Sequence, residues 1–135
     1  MRDVVLWIDH REAVIAAVTD DTEDLTRFLS GMEKHVRYSA FEGGAEDKRD
    51  RRFEGHLDHY YDQVIASVRD ARSILIIGPG EARHEVEKRL RYEGLGKTIV
   101  AVEAADKMTD PQVAALARER FQQLRRGDVQ GGPHA

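Results

Sequence analysis

The 135-residue chain contains no cysteine. It therefore forms no disulfide and offers neither a thiolate nucleophile nor a cysteine-ligated zinc site. It also lacks an apolar run long enough to span a bilayer, and its N-terminus, where Arg2 and Asp3 precede a short apolar stretch, does not match a signal peptide. We therefore expect a cytoplasmic protein that does not enter a membrane.

Positive charge is not in excess, because 21 Lys and Arg residues stand against 25 Asp and Glu residues, giving a formal net charge of -4. This balance argues against a protein that coats nucleic acid non-specifically, although it allows a local basic patch. The length and the 41% hydrophobic content suit one compact domain. We predict a single α/β domain over residues 1–126 and a flexible C-terminal tail over 127–135.

Two uninterrupted apolar runs predict buried strands. The first, Ile74 to Ile77, leads into Gly78-Pro79-Gly80 and a charged, helix-favouring segment, and the second runs from Thr98 to Val102. A strand that is covered on both faces shows no polar alternation. Both runs are therefore interpreted as central parallel strands of a sheet with helices on both sides.

The remaining elements complete a mixed sheet. The predicted strands before the first run are Val4 to Ile8, Ala13 to Val18 and Asp24 to Leu29, the last with Leu25 and either Phe28 or Leu29 turned inward. The predicted helices start at Phe53, near Glu81, and at Asp110 as N-cap. Three strands in a meander, followed by helix, strand, helix, strand and helix, predict a five-stranded α/β sheet with right-handed crossovers.

The turn Gly78-Pro79-Gly80 invites two interpretations, a phosphate cradle or a structural joint. A dinucleotide fingerprint needs a third glycine, and Arg83 stands in its place. Glu81 at the start of the helix would also repel a phosphate. We therefore interpret the turn as a joint between strand and helix.

Residues 39–52 have no apolar periodicity and are predicted to form a loop. The loop carries the one compact basic cluster of the chain, formed by Lys48, Arg49, Arg51 and Arg52 after Gly43-Gly44. Such a cluster can bind a phosphate backbone, or it can be a solvated loop whose charge is partly neutralised by neighbouring acids. Charge alone leaves both interpretations open.

Three carboxylates lie after predicted strands, Asp9 after the first and Glu103 and Asp106 after the last. They could converge on a divalent cation if the first and last strands were near neighbours. Carboxylates at strand ends are common in turns, and we favour that interpretation. The spacing of His56 and His59 also suits a metal, but boundary positions on a helix are favoured. No role is assigned to His10 or His35.

The chain resembles the middle domain of the archaeal and eukaryotic peptide release factor and Pelota superfamily, in its small bacterial single-domain form. The resemblance rests on V-L-W-I-D-H-R-E-A-V at 5–14, the Gly-Gly loop leading into F-E-G-H-L-D-H-Y-Y at 53–61, I-L-I-I-G-P-G-E-A-R at 74–83 and A-D-K-M-T-D-P-Q at 105–112. It implies a ribonuclease-H-like α/β architecture and a place in translation. The family carries Gly-Gly-Gln in this loop, whereas this chain has Gly43-Gly44-Ala45, so the hydrolytic chemistry of the family is not implied.

Three hypotheses follow. The first is a non-catalytic accessory protein, without a cofactor, that binds the ribosome or ribosomal or transfer RNA through residues 43–52. The second is a hydrolase, either a nuclease with a metal at Asp9, Glu103 and Asp106 or an ester hydrolase at the Gly-Gly loop. The third is a homo-oligomeric adaptor that uses the helix at 81–92.

Overall fold

The computed structural model describes residues 2–19, 22–31 and 46–130, and it describes their side chains except at 46–54, 56 and 124–130. Gly43, Gly44, Ala45, His35 and the last five residues of the predicted tail lie outside the described residues. The strands are β1 (Arg2–Ile8), β2 (Glu12–Val18), β3 (Glu23–Leu29), β4 (Ala71–Gly78) and β5 (Ile99–Ala104). The helices are α1 (Glu46–Val68), α2 (Ala82–Tyr92) and α3 (Asp110–Gln130), and a short 3-10 turn, Gly96–Thr98, precedes β5.

The five strands form one mixed sheet in the order β3-β2-β1-β4-β5. The meander β1-β2-β3 is antiparallel, and β4 runs parallel to both β1 and β5. The predicted fold class, a mixed five-stranded α/β sheet with helices on both faces, is confirmed. Within the described residues, no helix is long and apolar enough to cross a membrane.

Helices cover both faces of the sheet because the central strands present apolar side chains alternately to each side. On one face α1 and α2 pack over Leu6, Ile15 and Ile76, using the buried residues Tyr60, Tyr61, Val64, Ile65, Val68, Ala82, Val86 and Leu90. On the other face α3 packs over Trp7, Val14 and Leu75 with the buried residues Val113, Ala117 and Phe121. The thin apolar stripe of α2 therefore suffices, since three buried residues on this helix reach the core.

Two predictions about exposure were wrong. The run at β5 was expected to form a central strand, but β5 lies at the edge of the sheet and its side chains are only partly buried or exposed. An apolar run indicates that both faces of a strand are covered. It does not indicate whether the strand has a hydrogen-bonded neighbour on both sides within the sheet. Leu25 was expected inside, yet 43% of it is exposed on the other edge strand, β3.

The last helix begins with a capping box rather than with the predicted cap at Asp110. The Thr109 hydroxyl accepts a hydrogen bond from the Gln112 backbone N–H at 3.2 Å, and the Gln112 side chain accepts one from the Thr109 N–H at 2.8 Å. This reciprocal pair satisfies two backbone donors that the start of a helix leaves free. The carboxylate of Asp110 instead forms an ion pair with Arg27 of β3. The backbone of α3 continues to Gln130, beyond the predicted domain end at residue 126.

The turn after β4 is a joint that requires glycine. Gly78 has φ +151, and a Cβ built on it would lie 2.1 Å from the carbonyl oxygen of Ile8. The Arg83 guanidinium spans the same turn, donating hydrogen bonds to the carbonyl oxygens of Gly78 at 3.0 Å and Gly80 at 2.7 Å. The residue that breaks the dinucleotide fingerprint thus stabilises the turn.

Replacing Gly78 with alanine should therefore destabilise the fold strongly. We expect a loss of about 2–4 kcal/mol, since the methyl group must displace the backbone of β1 in addition to the backbone strain at positive φ. The matched control is Gly80→Ala, because Gly80 has φ +67 but open space around its Cβ position. It should cost only about 1–2 kcal/mol. Urea unfolding measures both, and equal losses would contradict the close-contact explanation.

Removing the cap of α3 should also be measurable. Thr109→Ala is expected to lower the free energy of unfolding by about 1 kcal/mol, since it leaves a helix N–H without its side-chain acceptor. Asp110→Ala removes an ion pair between exposed side chains, whose contribution should stay below about 1 kcal/mol. If Asp110→Ala proved the more damaging of the two, the assignment of Thr109 as the cap would be wrong.

Candidate nucleic-acid interface and the Glu85 cluster

The basic cluster lies on a helix, not on the predicted loop. Residues 39–52 were predicted to be irregular, but α1 begins at Glu46, so Lys48, Arg49, Arg51 and Arg52 all belong to its first two turns. Glu46 and Asp47 occupy the first turn, where negative charge is favoured by the helix dipole. The acids of this segment therefore have a structural explanation that is separate from neutralising the basic residues.

The second half of α1 is held firmly against the sheet. Tyr60, Tyr61, Val64, Ile65 and Val68 are each between 0% and 3% exposed. Arg52 is five residues before Leu57, which is about 8 Å along a helix axis, and Leu57 is the first described side chain of α1 that packs against this core. A continuous helix thus connects the basic cluster to the core of the domain.

Tyr60 and Tyr61 tie α1 to the carboxyl end of β1 and to α2. The Tyr60 hydroxyl donates a hydrogen bond to the backbone carbonyl of Asp9 at 2.9 Å. The Tyr61 hydroxyl donates to Oε1 of Glu85, and Nε2 of His10 lies 3.1 Å from the same oxygen. One carboxylate on α2 therefore connects the helix α1 with the turn that follows β1. We call His10, Tyr61 and Glu85 the Glu85 cluster.

Glu85 stays ionised in this cluster despite its partial burial. Burial by itself would raise the pKa of Glu85, but the hydrogen bonds from Tyr61 and His10 and the positive charge nearby outweigh it and hold the pKa below its ordinary value near 4.5. The pKa of Tyr61 is raised, first by burial and then by its hydrogen bond to Glu85. Tyr61 is therefore neutral and remains a donor at any physiological pH.

A groove of about 610 Å³ opens between α1 and α2 beside this cluster. It is lined by Leu57, Asp58, Tyr61, Glu81, His84, Glu85, Lys88 and Arg89. Arg89 crosses it, with its guanidinium 5.6 Å from the centre of the Tyr61 ring and in ion pairs with Asp58 and Asp62. These paired charges pin the two helices together, and they leave a groove of mixed charge rather than one suited to a polyanion.

The structure does not bring the three carboxylates of the metal hypothesis together. β4 lies between β1 and β5, so these two strands are not adjacent. Asp9 accepts the backbone N–H groups of Arg11 and Glu12, both at 2.8 Å, as a turn residue does. Glu103 binds Arg120 through two hydrogen bonds, which hold its pKa below the ordinary value. Among the described side chains, no group of three is placed to hold a metal ion.

The remaining predicted positions also have structural explanations. The backbone carbonyl of Asp106 accepts the indole N–H of Trp7 at 2.9 Å, which fixes the segment after β5 against the core. His59 is exposed on α1, as expected of a boundary residue, and the side chain of His56 is not described. The pairing of His10 with Glu85 could not be found from the sequence, since 75 residues separate them.

No protein-family model matches the chain, and no curated protein matches its sequence. Its fold is similar to that of two Pelota proteins. The Thermoplasma acidophilum protein matches with a TM-score of 0.56 and 17% identity over 86% of this chain and 31% of its own. The Archaeoglobus fulgidus protein matches with a TM-score of 0.59 and 16% identity over 95% of this chain and 34% of its own. An archaeal translation termination factor matches with a TM-score of only 0.48 and 14% identity.

The chain thus spans about a third of the length of each Pelota chain that it matches. At such low identity the similarity shows a common fold and nothing finer. The resemblance drawn from the sequence is confirmed at that level, because the chain has a Pelota-like α/β fold.

Replacing Glu85 should change how the stability of the fold depends on acid pH. Since its folded pKa is below the unfolded value, Glu85 stabilises the fold above that unfolded value, and this contribution is lost as the pH falls through the folded pKa. Glu85→Gln should therefore cost about 1 kcal/mol at pH 7, allowing for the 43% exposure of the side chain. It should also reduce the slope of stability against pH below about pH 5.

Glu87→Gln is the matched control, because it removes the same charge from the same helix. Glu87 pairs with Arg91 one turn later, an arrangement typically contributing only about 0.3–0.5 kcal/mol. Urea unfolding measures the free energy of unfolding of both variants between pH 3 and pH 7, a range that includes the titration of carboxyl groups. An unchanged acid slope in Glu85→Gln would contradict the role given to this carboxylate.

Proposed function

We propose that this chain is a non-catalytic, translation-associated accessory protein that binds the ribosome or ribosomal or transfer RNA. The proposed contact surface consists of Gly43, Gly44, Ala45, Lys48, Arg49, Arg51 and Arg52. The last four of these residues are the basic cluster. The fold supports a relationship to Pelota, and the resemblance to the release factor and Pelota superfamily suggests the translational role.

The observation that carries the proposal is the continuity of α1. Four cationic residues within five positions belong to a helix whose later turns are buried against the sheet. Binding therefore does not require the chain to order the backbone of residues 46–52, which would otherwise cost conformational entropy. A phosphate backbone is the chemistry that such a cluster recognises, since contacts to phosphate position a protein without reading sequence.

The net charge of -4 strengthens the argument for a local contact. An acidic protein gains nothing from long-range attraction to a polyanion, so any RNA binding must come from a confined basic surface. We place RNA at the start of α1 rather than in the groove between α1 and α2, because Asp58, Glu81 and Glu85 line that groove.

The other two hypotheses have less support. The nuclease version of the hydrolase finds no observation in its favour, since Asp9 and Glu103 are engaged in a turn and an ion pair. The ester-hydrolase version concerns residues 43–45, which lie outside the described residues. The homo-oligomeric adaptor on α2 stays a hypothesis, and Tyr92, which is 92% exposed on that helix, is its natural probe.

Co-sedimentation of the full chain with ribosomes, over a series of salt concentrations, tests the proposal. Replacing Lys48, Arg49, Arg51 and Arg52 with alanine should weaken binding at least about tenfold. The slope of log affinity against log salt should also become shallower, by about 0.7–0.9 for each phosphate contact removed. Treatment with RNase before sedimentation should abolish the association of the unaltered chain.

The matched control replaces four other basic residues, Arg11, Arg69, Arg91 and Lys97, which are all exposed and lie outside the basic cluster. This variant has the same net charge as the first, and its surface ion pairs contribute little to stability. It should bind nearly as well as the unaltered chain. Equal losses in both variants, or no association of the unaltered chain at low salt, would overturn the proposal.

A further inference from the structure

The edge strand β3 presents an exposed apolar surface. Within the described residues β3 pairs only with β2, and the two strands stay in register over seven residue pairs without a bulge. Leu25 is 43% exposed and Leu29 is 69% exposed on this strand. A regular edge strand with exposed leucines is a surface on which another strand can pair.

The hydrogen-bond pattern shows which residues of β3 face the open edge. The Ser30 N–H donates to the Arg11 carbonyl at 2.9 Å, and the Thr19 N–H donates to the Thr22 carbonyl at 3.0 Å. Residues 30 and 22 are thus in hydrogen-bonded pairs with β2, and such pairs alternate along an antiparallel ladder. The backbone groups of residues 23, 25, 27 and 29 therefore point away from β2, toward the edge at which none of the described residues pairs.

The charged side chains of these four residues are already paired within the chain. Glu23 binds Arg118 of α3 through both carboxylate oxygens at 2.7 Å. Arg27 forms ion pairs with Glu12 and Asp110. On the face of β3 that carries Leu25 and Leu29, an approaching strand would therefore meet two leucines and two compensated charges, whereas the exposed Asp24 lies on the other face.

We propose that β3 pairs antiparallel with β3 of a second copy of this chain, with Arg27 at the two-fold axis. In that register Leu25 lies directly opposite Leu29 of the partner subunit, and the same contact repeats on the other side of the axis. The residues with outward-facing backbone groups meet each other, so the pairing forms the hydrogen bonds of a regular ladder. The two five-stranded sheets then form one continuous sheet of ten strands.

The self-complementary spacing favours a second copy over an unrelated strand. Leu25 and Leu29 are equally distant from Arg27, so a single two-fold operation satisfies both leucines at once, as an isologous interface requires. Each arginine near the axis keeps its own Glu12 and Asp110, which limits the repulsion between the two guanidinium groups.

The opposite edge of the sheet is less suited to pairing. The ladder between β4 and β5 shifts register between Ile74 and Leu75, which leaves Val100 as an extra residue on β5. Bulges of this kind disrupt the edge on which a further strand would form its hydrogen bonds. β5 therefore provides a comparison for the experiment.

Sedimentation velocity of the full chain, at about 5–100 µM, tests the pairing. We expect a concentration-dependent shift from the 15.3 kDa chain to a species of twice that mass. Leu25→Lys combined with Leu29→Lys should raise the dissociation constant of the dimer at least about tenfold, since lysine on an edge strand opposes pairing. Both residues are exposed, so the thermal unfolding of the monomer should change little.

The matched control combines Tyr92→Lys with Val100→Lys, which adds the same charge at two other exposed apolar residues, on α2 and β5. It should dimerise like the unaltered chain. A chain that stays monomeric throughout the concentration range would overturn the proposal, and so would a dimer that only the control variant disrupts. The second result would instead support assembly through β5 or α2.

The absence of cysteine allows a test of the register. A Leu25→Cys chain mixed with a Leu29→Cys chain should form a disulfide-linked dimer on mild oxidation, because facing residues of a ladder lie within disulfide range. Either variant oxidised alone should remain unlinked, since its two cysteines are about four residues apart along the pairing. Crosslinking of one variant with itself would contradict the register that places Arg27 at the axis.

Discussion

The contact between β1 and β4 is the constraint on which the rest of the domain depends. The two strands run parallel with Val4 beside Ile74 and Trp7 beside Ile77, and these side chains are at most 2% exposed. Their carboxyl ends approach so closely at Ile8 and Gly78 that a side chain on residue 78 has no room. The positions of the meander, of β5 and of all three helices follow from this pair, because each packs on it directly or through one neighbouring strand.

At the carboxyl end of β1, hydrogen bonds hold α1 in place beside this packed core. Tyr60 and Tyr61 place their rings in the core and their hydroxyl groups on Asp9 and Glu85. Burial of a tyrosine is favourable only when its hydroxyl finds a partner, so the two contacts define the position of the helix as well as contributing stability. The proposed RNA contact depends on this anchor, because the basic cluster is carried by the same helix.

Most of the fold could be predicted from local patterns, and the errors share a physical cause. The strands, the meander and the three helices follow from apolar periodicity, which reports contact with a core. The segment from Glu46 to Arg52 has no such periodicity, so it was assigned to a loop although its charged residues include good helix formers. Thr109 could have been identified as the cap, since T-D-P-Q matches a capping box. The edge position of β5 could not, because the apolar run depends on the faces and not on the edge.

The features of the candidate sites also divide into those set by neighbouring residues and those set by the packing of distant segments. The sequence by itself determined the basic cluster, the glycine joint after the central strand and the absence of thiol chemistry, since each depends on residues that are adjacent in the chain. Only the tertiary structure decided that Asp9, Glu103 and Asp106 stay apart, that His10 meets Glu85, and that the exposed leucines of β3 lie on a strand that pairs, within the described residues, on one side alone. These depend on strand order and on the packing of distant segments, which many sequences share and no local pattern records.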